Sequence, residues 1–344
     1  MTRQRFSGFV TSAVAPVSIS RQKPVKLWAL LGVVTFTAVP GFSQSVDGRA
    51  SFPYAPAYYY GTQGEPPQLV VFPPDRKQMV IPLALPSLLR FSAFTRDGLA
   101  IFATINTIKS PRTSNQPPRL GPPRLLRVDL VPFRVTTLAD LVGLDDVLGL
   151  AVAPGQDKIL FTGAWKGETS CNLFEIAASG ADFKMLLPDF GCGVGGVSPD
   201  GSKMLVKRDR GLAIVDLTTG DAVQLGRGLW KGAWSPDGKW IAALNENPPG
   251  ERPPGRVSWT IRIDAHDFSQ RRDMGGRADT EVTWSPDSKY LLYSEWTPPC
   301  PHGGEEPSLI TMDIETGKRV IVKESKCKVN GNRRIGWVSL DAVQ

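Results

Sequence analysis

The chain has 344 residues, enough for one large all-β domain or two ordinary ones, and its 41% hydrophobic and 21% charged residues describe a folded chain rather than a disordered one. Thirty-four glycines and 30 prolines, together about a fifth of the residues, favour many tight turns over a helical protein. The formal charge of +7 falls to about +2 once residues 1–44 are set aside, since five basic residues and no acids lie there, so binding nucleic acid by phosphate neutralisation has little support.

Taken in chain order, Arg3, Arg5, Arg21, Lys23 and Lys26 precede an apolar run at 27–39, and the small residues Gly41 and Ser43 follow before Gln44. This is the order of a secretory signal. The 13-residue run is short of the ~18–20 residues that span a bilayer. The expectation is a signal peptide at 1–44 that is cleaved, a periplasmic or secreted chain with no stable membrane span, and a membrane anchor only if cleavage fails. Residues 45–65 read as a Pro- and Tyr-rich segment ahead of the folded domain, which is expected to occupy 66–344.

Within that domain a turn recurs. Phe94-Thr95-Arg96-Asp97-Gly98 and Val152-Ala153-Pro154-Gly155-Gln156 are weak copies; Val197-Ser198-Pro199-Asp200-Gly201, Trp234-Ser235-Pro236-Asp237-Gly238 and Trp284-Ser285-Pro286-Asp287-Ser288 are strong ones. Proline presets φ at the first turn position, aspartate bonds the backbone ahead of it, and glycine accepts a left-handed conformation. Each copy is followed by an apolar run (99–103, 158–162, 203–207, 240–244, 290–294), as a hairpin requires. A second strand pair follows in each unit, its first member ending near Asp129, Asp216, Asp264 or Asp313, with 172–176 as the variant. Four antiparallel strands per unit of about 40–45 residues describe a propeller blade.

The Ser-Pro-Asp-Gly turn with an aromatic residue before it resembles the repeat of TolB-like and WD40-like propellers, at three good and two degraded positions across about residues 66–344. The resemblance implies an all-β, six-bladed β-propeller of four-stranded antiparallel blades. Five blades are complete, and the sixth is a composite of both termini: 335–341 gives its opening strand, while 68–72 and 78–82 give its last two. Such closure removes exposed sheet edges. The span gives about 46 residues per blade; seven blades are the alternative if 51–61 contains further strand.

The turns between strands one and two share one face with the turns between strands three and four. The longer insertions, about 106–124, 163–170, 245–258 and 296–307, all fall on the other face. Cys171 and Cys300 lie in connections between strands two and three, and Cys192 and Cys327 in crossings to the next blade. That register predicts disulfides Cys171–Cys192 and Cys300–Cys327. A metal site is the rival, but metal-binding cysteines come as close pairs and none occurs here. Trp165, Trp296, Arg119, Arg124, Arg252, Arg256 and His302 populate the loop face and form the candidate binding surface, since Trp and Arg commonly anchor interfaces.

Candidate chemistry is sparse. The two histidines are His266, in a turn, and His302. No Gly-x-Ser-x-Gly elbow or phosphate-binding loop occurs; the Gly-rich 191–196 precedes a strand instead of opening a helix. The repeated turn aspartates have a structural reason to recur and would spread around a ring. No catalytic residue, metal or cofactor is expected. The expected function is that of a monomeric, exported binding module recognising a protein, peptide or envelope glycan through its loop face or central funnel. The alternative is a propeller enzyme, a lyase or metal-dependent lactonase or hydrolase, with a central polar pocket.

Overall fold

The computed structural model describes residues 54–61, 67–74, 77–83, 89–110, 119–208, 211–246, 258–268, 271–295, 308–323 and 332–340. The expected signal at 1–44 lies outside them, as do Cys300 and Cys327. The described residues are all-β, and among them no helix is long and apolar enough to cross a membrane.

In chain order the strands are β1 (Tyr54–Gly61), β2 (Gln68–Val71) and β3 (Met79–Pro82); β4 (Leu89–Phe94), β5 (Ala100–Ser110), β6 (Arg119–Leu130) and β7 (Phe133–Asp140); β8 (Leu144–Val152), β9 (Lys158–Trp165), β10 (Asn172–Ala177) and β11 (Lys184–Leu187); β12 (Val194–Val197), β13 (Lys203–Arg208), β14 (Gly211–Asp216) and β15 (Ala222–Arg227). They continue with β16 (Leu229–Trp234), β17 (Trp240–Glu246), β18 (Ser258–Asp264), β19 (Arg271–Trp284), β20 (Tyr290–Glu295), β21 (Ser308–Asp313), β22 (Arg319–Lys323) and β23 (Asn332–Ser339). Blades one to three are β4–β7, β8–β11 and β12–β15. Blades four and five share β19, whose first half pairs with β18 and whose second half pairs with β20. Blade six has the order β23-β1-β2-β3. The molecule is a six-bladed propeller closed by a composite blade.

The composite blade has one strand more than the sequence pattern offered. β1 pairs antiparallel with β23 from Tyr54↔Ser339 to Gly61↔Asn332, so the segment placed ahead of the domain supplies the blade's second strand, and the propeller begins before residue 66. Pro56 and three consecutive tyrosines obscure the alternation by which a strand is recognised. The insertion at 106–124 also differs from expectation: β5 and β6 remain paired out to Ser110↔Arg119, so its flanks are hairpin rather than irregular loop.

The repeated turns explain themselves atom by atom. In blade four Ser235 Oγ donates to Asp237 Oδ1 (2.6 Å), Asp237 Oδ1 accepts the Lys239 N–H (3.1 Å), and Ser235 Oγ accepts the Trp240 N–H (2.9 Å). Ser198–Asp200, Ser285–Asp287 and Thr95–Asp97 repeat the arrangement. Blade two lacks both groups, yet Gln156 takes the left-handed position at φ 60°, as Ser288 does in blade five at φ 63°. The chain leaving each third strand returns to the same turn, as in Leu217 N–H to the Ser202 carbonyl (2.8 Å) and Ala265 N–H to the Lys239 carbonyl (2.9 Å), so both kinds of turn lie on one face.

Each blade is apolar on both sides, and alternation along a strand sends neighbours to opposite seams. Phe102 packs with Phe161 and Phe174 between blades one and two, whereas Ile101 and Ala103 pack with Leu69 and Val71 between blades one and six. Polar contacts cross the seams as well. Ser339 N–H reaches the Gly98 carbonyl (3.1 Å), Gln156 Nε2 reaches Asp97 Oδ2 (3.1 Å), Gly193 N–H reaches Thr162 Oγ1 (3.2 Å), and Trp284 Nε1 reaches the Ala233 carbonyl (2.9 Å). Arg271 donates to the Leu225 carbonyl between blades three and four. Cys171 and Cys192 form a disulfide, with Cα atoms 5.2 Å apart, tying a loop of blade two to the crossing into blade three.

Toward the axis the inner strands crowd, and side chains shrink. A Cβ on Gly149 would stand 2.5 Å from the Val194 nitrogen, and one on Gly336 would enter the Phe94 ring. Gly336→Val is therefore expected to lower stability by about 1–3 kcal/mol through overpacking, read as a fall in the urea midpoint at unchanged slope. An unchanged midpoint would show that Phe94 moves aside freely.

The turn carboxylates also set a pH dependence. Asp200 is held below the ordinary 3.8 by the Ser198 hydroxyl and the Ser202 N–H, and Asp313 by the Thr316 N–H. Burial raises Asp97, but bonds from Thr95, the Leu99 N–H and Gln156 outweigh it, and its pKa too is lowered. A depressed folded pKa gives stability that is complete above the ordinary carboxylate value and lost as pH falls through the folded one. Chemical denaturation should thus show a plateau down to about pH 4 and a decline below it, less steep in Asp200→Asn. A midpoint that rises on acidification would contradict this.

Candidate functional site: the axial tunnel

Six inner strands, β4, β8, β12, β16, the second half of β19 and β23, surround an axial tunnel of about 510 Å³. Its wall carries the small residues Ala93, Gly149, Gly195, Gly196, Gly232 and Gly336, with Trp230, Trp234, Trp284 and Trp337 between them. The tryptophans give it an aromatic lining.

The charged lining residues are Arg96, Lys207, Lys231 and Glu281. Glu281 links three blades. Its Oε1 lies 3.7 Å from Lys231 Nζ of blade four, and its Oε2 accepts the Ile335 N–H of blade six at 3.1 Å. Its side chain is 17% exposed, so these contacts are screened less than a surface pair would be.

At the turn-face mouth Pro154, Pro199, Pro236 and Pro286 line the opening. Blade one has Arg96 at the equivalent position. Its Nη2 donates to the Pro236 carbonyl at 3.1 Å. Blades one and four are three apart in either direction around a six-bladed ring, so this bond crosses the axis. Arg96 bars the mouth.

The candidate loop-face residues fare differently. Trp165 stands at the end of β9 with its ring edge-on to Phe174 (5.2 Å between centroids) and near Phe183 (6.3 Å), so it is part of the packing between blades one and two. Arg124 pairs with Asp140 at 2.7 Å along the β6–β7 hairpin. Arg119 opens β6. Trp296, Arg252, Arg256 and His302 lie outside the described residues. His266 is exposed, its N–H bonded to Asp264 Oδ1 (2.8 Å) in a turn. Among the described residues no three of His, Cys, Asp and Glu gather as a metal-ligand set. Arg96, Lys231 and Glu281 were not singled out from the sequence. The available signal was Arg96 itself, a charged residue where other copies of the turn have proline.

No protein-family model matches the chain, and no curated protein matches its sequence. Its structure is similar to a chain of a nidogen/laminin complex, at 11% identity over 82% of this chain and 98% of that one, with a TM-score of 0.56. It is similar as well to a TolB from Agrobacterium tumefaciens, at 15% identity over 84% and 98% of the two chains and a TM-score of 0.52. An oligogalacturonate lyase from Vibrio parahaemolyticus matches at 11% identity over 78% and 74%, with a TM-score of 0.50. What is shared is the propeller fold. A TolB-like propeller architecture is thus shared with proteins of different activities, and the fold leaves activity open.

Removing the Glu281 carboxylate should loosen the seam it bridges. Glu281→Ala leaves the Ile335 N–H and Lys231 without this acceptor and is expected to cost about 1–3 kcal/mol, while Glu281→Gln, which keeps an amide oxygen, should cost less. Equal stabilities of the two variants in urea titrations would show that the carboxylate is not what joins the blades.

Proposed function

We propose that the protein is an exported, non-catalytic binding module that takes an extended peptide segment into its axial tunnel. The observation that carries this reading is the edge character of the wall. β4, β8, β12, β16 and β23 each end their sheet on the axial side, bonded to one neighbour within it. Edge strands present backbone N–H and C=O groups that an extended chain can pair with. Small side chains let such a chain approach, and the tryptophans offer apolar contact along its length.

Export is supported by two features. Residues 1–44 have the order of a secretory signal, and the Cys171–Cys192 disulfide suits an oxidising compartment. The loop face contributes less to the reading, because Trp165 and Arg124 are already engaged within the fold.

The test is photo-crosslinking of a hexapeptide pool to the purified protein, with the linked residues identified by mass spectrometry. Links are expected on 92–96, 193–197, 230–235 and 281–284. Links confined to the outer strands β3, β7, β11, β15 and β22, or no retention of any peptide, would overturn the reading.

A further inference from the structure

The peptide reading leaves open which part of a chain the tunnel receives, and the turn-face mouth bears on this. Four blades line that mouth with a proline, and blade one sets Arg96 there, reaching across to the Pro236 carbonyl. A guanidinium has five N–H donors, of which this bond uses one, and the acceptor is neutral. Among the described residues no carboxylate lies within ion-pair distance of Arg96. The cation lies exposed at one end of the tunnel wall, and its four remaining N–H donors can take a carboxylate as a parallel pair while the bond to Pro236 stays in place.

We propose that this mouth is a carboxylate site, and that the tunnel receives the C-terminal end of a peptide, its α-carboxylate docking on Arg96. The proposal rests on the peptide reading above. A barred tunnel suits a chain end better than a chain threading through. Of the two ends, an N-terminal ammonium would be repelled by Arg96. The rest of the lining agrees: Lys207 and Lys231 add positive charge, and Glu281, the acid among the lining residues, already faces Lys231 and the Ile335 N–H. A lining of net positive sign draws anionic groups inward.

Three hexapeptide pools test this on the full chain: neutral sequences with free C-termini, the same sequences amidated, and amidated sequences with one internal glutamate. Wild-type protein should retain the free-acid pool about two- to fivefold over the amidated neutral pool, as expected for an ion pair on an exposed arginine. Arg96→Gln should abolish that preference. Arg96→Lys keeps the charge but loses the paired geometry, so it should keep only part of the preference, and it serves as the test if the glutamine variant does not fold. Equal retention of free-acid and amidated pools, with crosslinks still in the tunnel, would overturn this proposal and leave the peptide reading standing. Full preference in Arg96→Lys would also overturn it. Retention of the glutamate pool at the level of the free acids would move the site to acidic side chains and overturn the assignment to a terminus. Failure of all three pools would remove both readings together.

Discussion

Eight residue pairs between β1 and β23, from Tyr54↔Ser339 to Gly61↔Asn332, hold the ring shut. Without them blade six would be two unrelated fragments, and the apolar faces of blades one and five would each lose a neighbour. The clusters that depend on this closure are specific: Ala55, Ala57, Leu69 and Val338 against Ile101 and Ala103 on one side, and Tyr58, Val70 and Trp337 against Leu292 and Leu309 on the other. A propeller has no hydrophobic centre of its own. Its core is divided among the seams, so each blade is stabilised by its two neighbours and the ring by its completion.

The cost of that arrangement falls at the axis, where the inner strands of adjacent blades approach so closely that several positions have no room for a Cβ. Glycine is unfavourable in a strand for its own sake. It persists at Gly149, Gly195, Gly232 and Gly336 because a Cβ there would meet the adjacent blade or its own. Of the few charges placed among them, the Glu281 carboxylate is the one largely covered, so its contact with Lys231 is screened less than a surface pair, whereas Arg96 stands exposed at the mouth.

Much of the architecture was legible from local chemistry. The Ser-Pro-Asp-Gly copies are visible because each residue acts on its near neighbours, with the hydroxyl, the carboxylate and the left-handed fourth position all bonding or turning within six residues. Blade count and the Cys171–Cys192 pairing followed from their register. What was hidden depends on distant partners. β1 is specified by β23, nearly the whole length of the chain away, and Pro56 and its tyrosines give no alternation to read. Trp165 looked like a loop residue but packs edge-on against Phe174, which only the blade geometry brings near it. Arg96 looked like decay of a motif. Its meaning lies in Pro236, on the opposite side of a ring that no linear pattern describes.

The joining of β1 to β23 also has a consequence in time. During synthesis β1, β2 and β3 emerge first, and their sheet partner β23 emerges after every other described strand. These three strands cannot settle into a blade until then, and loop closure over such a separation is slow compared with forming a hairpin. Blades one to five can assemble progressively as they appear, each against its predecessor. The N-terminal strands must wait, with apolar Leu69, Val70 and Val71 uncovered. The last strand made therefore decides when the first ones become structure, and the growing chain is most exposed to misassociation at the end it made earliest.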